Sequence, residues 1–166
     1  MEFLDYVNDR DEVIGSAPRS EVYEKRLLHR IVHVLVFNKN RELALQRSSD
    51  NKEFCPGHWG TSAGGHVQSG EAYQEAALRE LEEELEVTLP LEFMFKDFYE
   101  DAQRGLRKIL VTFKTSYNGP FLINKNEVQD IHFFSLNKIQ EMINDGEKFH
   151  TELLFLLEKH FGIKRA

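Results

Sequence analysis

The chain has 166 residues, 41% of them hydrophobic and 30% charged, which suits one globular domain with a core of its own. A formal net charge of −7 disfavours nucleic-acid and acidic-membrane partners, because both favour basic surfaces. A single cysteine, Cys55, excludes an intrachain disulfide, and with no signal-like or membrane-spanning apolar run we expect a cytoplasmic protein.

The first third of the chain predicts mainly strands. "FLDYV" and "EVIG" flank the turn-like "NDRD" and predict a hairpin, and "SEVYEKRLL" predicts a short helix capped by Ser20. "RIVHVLVFN" is the clearest strand because it is rich in β-branched residues, and "ELALQRS" is expected to pair with it. "SDNKEFCPGHWG" is typical of a loop.

A Glu-rich segment then predicts a helix from about Glu71 to Leu85, with Ser69 as its cap. "LEFMFKDFYE", "LRKILVTFKTSY" and "DIHFFS" predict three further strands, with a turn at residues 118–119. "LNKIQEMIND" and "FHTELLFLLEKHF" are amphipathic and predict two helices. Because helices and strands do not alternate regularly, the pattern predicts a mixed sheet with helices packed on it.

The Glu-rich helix gathers its carboxylates on one face. At about 100° per residue, Glu80, Glu83 and Glu84 converge, whereas Glu82 points into water. Three convergent carboxylates are unfavourable unless a positive charge lies among them, and oxygen donors suit Mg²⁺ or Mn²⁺. A solvated acidic face is the simpler alternative. The adjacent Arg79 and the Gly-rich turn "SAGGHVQSGE" favour a binding site.

These residues complete a known pattern. The segment resembles the Nudix box, G-x5-E-x7-R-E-U-x-E-E-x-G-U, in which U is aliphatic. One position departs, because Glu86 replaces the last glycine at a helix end where a left-handed residue suits glycine. The positions in register are Gly65, Glu71, Arg79, Glu80, Leu81, Glu83, Glu84 and Val87.

The resemblance implies an α/β fold, a Nudix-type α/β/α sandwich with a mixed β-sheet. It implies a single Nudix hydrolase domain over residues 1–166, with the hairpin and short helix of residues 1–28 as part of it. By family analogy, Mg²⁺ or Mn²⁺ would be held by Glu80, Glu83, Glu84 and the backbone near Gly64. The box would be kept in shape by Gly65, Glu71 and Arg79.

The reaction implied is metal-dependent cleavage of a diphosphate linkage in a small molecule, with a nucleoside diphosphate linked to another moiety as the expected class. Glu80, Glu83 and Glu127 are the catalytic candidates, although Glu127 is equally explained as a solvated loop carboxylate. Arg47, Lys52 and Arg107 are candidates to bind the outer phosphates. The expected partner is this small substrate, with no nucleic acid or membrane, and the protein is expected to be a monomer or homodimer.

The similarity extends beyond the box to the branch that includes isopentenyl diphosphate isomerase, through "HRIVHVLVFN", "ELALQRS", "PGHWGTSAGGHVQSGE" and "NEVQDIHFF". That isomerase uses a cysteine just before the Gly-His of this loop, where this chain has Gly64, and Cys55 is poorly placed to replace it. Hydrolase chemistry is therefore expected. An isomerase-like enzyme and a catalytically silent Nudix-fold binding module are the alternatives. Among the seven histidines, His66 in this loop is the one to test.

Overall fold

The computed structural model describes residues 1–165, so the last residue of the predicted domain, Ala166, lies outside the described residues. The strands described are β1 (Phe3–Val7), β2 (Val13–Pro18), β3 (His29–Phe37), β4 (Leu43–Ser48), β5 (Trp59–Gly60), β6 (Ala63–His66), β7 (Glu92–Asp101), β8 (Leu106–Ser116) and β9 (Val128–Phe134). The helices described are α1 (Arg19–Glu24), α2 (Tyr73–Leu85), α3 (Leu136–Asn144) and α4 (Thr151–Phe161).

Strand β3 is the centre of the sheet because neighbours pair with both of its edges. β8 runs parallel to it along its whole length. The opposite edge is shared by three antiparallel neighbours, β1 at its start, β6 in its middle and β4 at its end. β4 pairs with β3 only at the Phe37–Leu43 rung and otherwise pairs with β5 and β9. The sheet is therefore mixed, and the β3–β6 and β4–β5 pairs diverge.

Side-chain alternation along β3 builds a core on each face of the sheet. Val32, Val34 and Val36 pack with α2, whose Leu81 is fully buried. Leu35 points the other way and packs with α3 and α4. Helices thus cover both faces, and the predicted α/β class is confirmed. No helix within residues 1–165 is long and apolar enough to cross a membrane.

The predicted cap of the Glu-rich helix is wrong. α2 begins at Tyr73 with Ala72 at the cap position, and the backbone N–H of Ala72 donates to the carboxylate of Glu75 at 2.9 Å. The hydroxyl of Ser69 instead donates to the carboxylate of Asp5 at 2.8 Å. Ser69 therefore attaches the turn before the helix to β1, a contact between residues far apart in the chain.

The cap predicted for α1 is also wrong. The helix begins at Arg19, one residue before Ser20, and its cap position is Pro18, the last residue of β2. Proline is compatible with a helix start because its fixed φ fits there and the first N–H groups have no intrahelical partner. The helix is held by its single buried side chain, Val22, which packs on β1 and β2.

Glu86 takes the left-handed conformation at the end of α2 that the pattern assigns to glycine. Its φ is 53° and its ψ is 39°, and its N–H donates to the carbonyl of Glu82 at 3.0 Å. A side chain in this region costs on the order of 1 kcal/mol because its Cβ crowds the following carbonyl. A carboxylate at a helix C-terminus is also unfavourable for the helix dipole.

We expect Glu86→Gly to raise the free energy of unfolding by about 0.5–1 kcal/mol, measured by chemical denaturation, because glycine removes the conformational cost. Glu86→Ala is the matched control, since it removes the charge and keeps the Cβ. A gain from Glu86→Ala as large as that from Glu86→Gly would assign the effect to charge and contradict the conformational account.

Candidate active site

A cavity of about 1300 Å³ opens where the β3–β6 and β4–β5 pairs diverge. Both helical layers contribute to its lining, Glu80 and Glu84 from α2 and Glu152 from α4. The loop of residues 49–58 and the loop before β9 form its rim. A small molecule held here would contact side chains from both faces of the sheet.

Two glycines of β6 allow close contacts with its neighbours, Gly65 with α2 and Gly64 with β3. A Cβ at Gly65 would collide with the carboxylate of Glu80. A Cβ at Gly64 would lie 2.8 Å from the carbonyl oxygen of Val32 and 3.0 Å from Nδ1 of His33, shorter than ordinary contacts. The backbone N–H of Gly64 donates to Oε1 of Glu84 at 2.9 Å. The glycines therefore bring backbone and carboxylates into direct contact.

Glu80 and Glu84 are buried next to each other. Burial raises the pKa of Glu84, and the neighbouring charge of Glu80 raises it further, although N–H groups of Gly64 and Gln46 donate to it. Burial also raises the pKa of Glu80, against the opposing effect of Arg79. Two buried carboxylates that repel each other are unfavourable in their charged form unless a cation accompanies them.

Arg79 is the cation that contacts this cluster. Its guanidinium donates to both carboxylate oxygens of Glu71, at 2.7 and 2.9 Å, and to the carbonyl of His66 at 2.9 Å. It also donates to Glu80 at 2.9 Å and to Glu83 at 3.3 Å. Arg79 thereby links the turn after β6 to α2 and holds the acidic face in place.

The oxygen donors of this face suit a divalent cation. Within residues 1–165 no group of three or more His, Cys, Asp or Glu side chains is arranged so that it could hold a metal ion as it stands, and Arg79 contacts both Glu80 and Glu83. The donors are nevertheless all oxygens, which Mg²⁺ and Mn²⁺ prefer. A cation here would also compensate the buried charges of Glu80 and Glu84, while the Glu83 side chain, 55% exposed, remains accessible.

Glu127 and Lys52 face each other across the rim of the cavity. Their side chains form an ion pair, Lys52 from the loop of residues 49–58 and Glu127 from the loop before β9. Backbone contacts support this arrangement, since the N–H of Ser49 donates to the carbonyl of Glu127 at 3.2 Å. The structure therefore places two of the sequence-predicted residues at the entrance, beside the acidic face.

The geometry does not support Arg47 and Arg107 as phosphate-binding residues, because neither lines the cavity. Arg47 packs over the ring of Trp59 at 5.2 Å and pairs with Asp130 at 3.4 Å. Arg107 is exposed on β8, with Asp9 3.6 Å away. The sequence does not show which face of the sheet each of these arginines points to, because that depends on the register of strand pairing.

A buried polar network on the α4 side of the cavity was not predicted. Oε1 of Glu152 is hydrogen-bonded to Nε2 of His33 at 2.9 Å, and Oε2 accepts from the ammonium of Lys108 at 2.9 Å. Nδ1 of His33 contacts the hydroxyl of Thr61 at 2.8 Å. A histidine in the middle of the apolar run "RIVHVLVF" is the sequence signal for this network, because a polar residue there needs a buried partner.

His66, the histidine singled out in the sequence, is buried beside α1. Its Nε2 is hydrogen-bonded to the hydroxyl of Tyr23 at 2.6 Å, and its ring stacks on His29 with centroids 5.8 Å apart. Burial lowers the pKa of His66 well below its ordinary value. The imidazole is therefore neutral, and it connects α1 to β6.

Comparison with known proteins agrees with this architecture. The model of the NUDIX domain matches residues 27–157. The Nudix hydrolase PA4841 of Pseudomonas aeruginosa is 35% identical over 132 residues, which cover 80% of this chain and 78% of that protein. The crystal structure of DR0079 from Deinococcus radiodurans superposes with a TM-score of 0.83 at 28% identity, covering 96% of this chain and 99% of that one. The chain therefore belongs to the Nudix hydrolase family.

Proposed function

We propose that the protein is a metal-dependent hydrolase that cleaves a diphosphate linkage in a small molecule, with a nucleoside diphosphate linked to another moiety as the expected substrate class. The observation that carries this proposal is the pair of buried carboxylates, Glu80 and Glu84, held against Gly64 and Gly65 in the wall of a large cavity. Membership of the Nudix hydrolase family supports it.

In this proposal Glu80, Glu83, Glu84 and the backbone of Gly64 hold Mg²⁺ or Mn²⁺. Bound divalent cations would neutralise the diphosphate charge and lower the pKa of the attacking water. Arg79 keeps the carboxylates oriented through its contacts with Glu80 and Glu83. The close contact between β6 and α2 excludes bulk water from one side of this face, which strengthens its electrostatic interactions.

Glu127 and Glu80 are the candidates to accept the proton of the attacking water. Glu127 is at the rim, within reach of a substrate that enters the cavity, and Glu80 lies deeper. Lys52 is the one of the three proposed phosphate-binding residues that lines the cavity. Its ion pair with Glu127 would exchange for a contact with phosphate when substrate binds, freeing the Glu127 carboxylate.

An isopentenyl-diphosphate-isomerase-like activity is the alternative from the resembling branch. Gly64 has no side chain to exchange a proton, and a Cβ there would crowd Val32 and His33. Cys55 reaches the cavity from the loop of residues 49–58, but burial raises the pKa of its thiol. A silent binding module is a second alternative, against which the buried pair of Glu80 and Glu84 argues, because binding alone does not require this unfavourable arrangement.

We expect hydrolysis of a diphosphate substrate to need Mg²⁺ or Mn²⁺ and to stop in excess chelator. We expect Glu83→Gln to lower turnover by at least about a hundredfold, on the order of 3 kcal/mol of transition-state stabilisation, because the amide loses charge and one ligand oxygen. The measurement is phosphate release after a coupling phosphatase, across a panel of diphosphate substrates.

Glu82→Gln is the matched control for this experiment. Glu82 is on the same helix and is exposed like Glu83, but it does not line the cavity, and its carboxylate accepts from the hydroxyl of Thr88 at 3.1 Å. We expect this control to keep normal turnover, and both variants to melt in chelator within a few degrees of the unaltered protein. Near-normal turnover of Glu83→Gln at limiting Mg²⁺ would contradict the proposed metal site and indicate that the acidic face is a solvated surface.

We expect no detectable conversion of isopentenyl diphosphate to its allylic isomer, because Gly64 can neither donate nor accept a proton through a side chain. The measurement is product analysis by mass spectrometry or NMR with Mg²⁺ present. Conversion at an enzymatic rate that persists in Cys55→Ala would show that a residue other than a cysteine performs this chemistry, and would favour the isomerase alternative.

A further inference from the structure

A buried carboxylate on β1 supports the turn that precedes α2. Oδ1 of Asp5 accepts a hydrogen bond from the hydroxyl of Ser69 at 2.8 Å, and Oδ2 accepts from the backbone N–H of Gly70 at 3.0 Å. The N–H of Ser69 also donates to the carbonyl of Phe3 at 2.8 Å. Asp5 is buried, whereas Ser69 and Gly70 are exposed. Both oxygens of a buried side chain are therefore used to hold an exposed turn.

The turn of residues 68–71 needs this support because its own chain is flexible. The N–H of Glu71 donates to the carbonyl of Gln68 at 3.0 Å and closes the turn, in which Gly70 has a φ of 82°. A Cβ at Gly70 would meet no atom within 4 Å, so side-chain packing does not hold this point of the chain. Since glycine populates many backbone conformations, hydrogen bonds to the turn decide which one it adopts.

The same turn positions the side chain that holds Arg79. Oε1 of Glu71 accepts from the backbone N–H of Gln68 at 2.8 Å, and both carboxylate oxygens of Glu71 accept from the guanidinium of Arg79. Arg79 also donates to Glu80 at 2.9 Å and to Glu83 at 3.3 Å. A continuous series of hydrogen bonds therefore leads from the turn to the carboxylates of the proposed metal site.

Asp5 is separate from the cavity and from the part of the chain that defines the family. It does not line the cavity, and it lies outside residues 27–157, which match the NUDIX domain. A role in stability alone is the simpler explanation, because β1, β2 and α1 share a small core that contains Leu4 and Val22. The two roles differ in what they predict for Arg79 when Asp5 is replaced.

We propose that Asp5 is a positioning residue, which fixes the turn of residues 68–71 and thereby holds Arg79 against the carboxylates of α2. The metal-binding part of this role rests on the proposed function, because it assumes that these carboxylates hold a divalent cation. The effect of Asp5 on Arg79 concerns the metal-free chain. Loss of Asp5 releases the turn, widens the range of orientations open to Glu71 and Arg79, and weakens metal binding without removing a ligand.

The first test follows the Arg79 side chain in the metal-free protein by NMR. Its Nε–H donates to Glu71 at 2.7 Å, so the exchange of this proton with water reports on the pair. We expect exchange to be at least about tenfold faster in Asp5→Ala, the factor that one charge-assisted hydrogen bond contributes to a local equilibrium. Asp5→Asn should stay within about twofold of the unaltered protein, because an amide can accept from Gly70 and donate to Ser69.

Two control variants separate positioning from the effects of charge and of stability. Asp9→Ala removes the same charge from the turn between β1 and β2, where the side chain is exposed. Ile139→Val shortens a fully buried side chain of α3, in the core on the other face of the sheet from α2, and lowers the melting temperature. Neither should accelerate the exchange. An acceleration in Ile139→Val or in Asp5→Asn equal to that in Asp5→Ala would overturn the positioning role.

Ser69→Ala is the second variant if Asp5→Ala does not fold. It removes one of the two hydrogen bonds that Asp5 accepts and keeps the buried carboxylate. We expect it to accelerate the exchange at Arg79 by about threefold or more, since one neutral donor is lost. Exchange as slow as in the unaltered protein would contradict the proposal.

The second test is Mn²⁺ binding to the full chain without substrate, measured from the electron paramagnetic resonance signal of the free ion. We expect Asp5→Ala to weaken binding by at least about tenfold, as is typical when a group that supports metal ligands is lost, and Asp5→Asn and both controls to bind normally. Unchanged exchange at Arg79, or equal Mn²⁺ binding by Asp5→Ala and the unaltered protein, would overturn the role of Asp5. Absence of Mn²⁺ binding by the unaltered protein would instead overturn the proposed function, and the exchange rates would still decide whether Asp5 holds Arg79.

Discussion

The burial of two carboxylates against a glycine strand is the constraint on which the rest of the site depends. Glu80 lies against the backbone of β6 because Gly65 has no side chain, and Glu84 accepts a hydrogen bond from the backbone N–H of Gly64. Their mutual repulsion requires positive charge close by, and Arg79 supplies part of it. The hydrophobic face of α2 keeps the helix packed on the sheet against this repulsion. Hydrophobic packing of α2 thus offsets the repulsion between these carboxylates, which would move apart in water.

The divergence of β3 from β4 gives this arrangement its surroundings. Since β4 pairs with β3 at a single rung, the sheet opens and both helical layers reach one cavity. The α2 side contributes carboxylates with raised pKa values, whereas the α4 side contributes Glu152, whose charge is compensated by Lys108. Two chemically different environments therefore line one cavity. The α2 side has buried carboxylates that need a cation, whereas the α4 side has its charges already paired.

Much of this arrangement could be predicted from the sequence, because it depends on local patterns. Strand β3 follows from its β-branched run, and the convergence of Glu80, Glu83 and Glu84 follows from helical spacing. The role of Ser69 could not be predicted, since its partner Asp5 is brought near only by the fold. The same holds for the contact between His33 and Glu152, which are 119 positions apart. Arg47 could not be placed either, because strand register decides which face a side chain occupies.

The absence of space at Gly64 and Gly65 also bears on how such a protein can diversify. A side chain at Gly64 would meet the carbonyl oxygen of Val32 and the ring of His33 on β3, and one at Gly65 would displace the carboxylate of Glu80, so neither position can vary without disturbing the site. Glu152 and Lys108 can change only together, because the loss of one would leave the charge of the other buried without a partner. Variation is cheapest in the loop of residues 49–58, which borders the cavity and contributes no strand to the sheet. New substrate preferences would therefore evolve first in this loop, while the sheet and α2 stay unchanged.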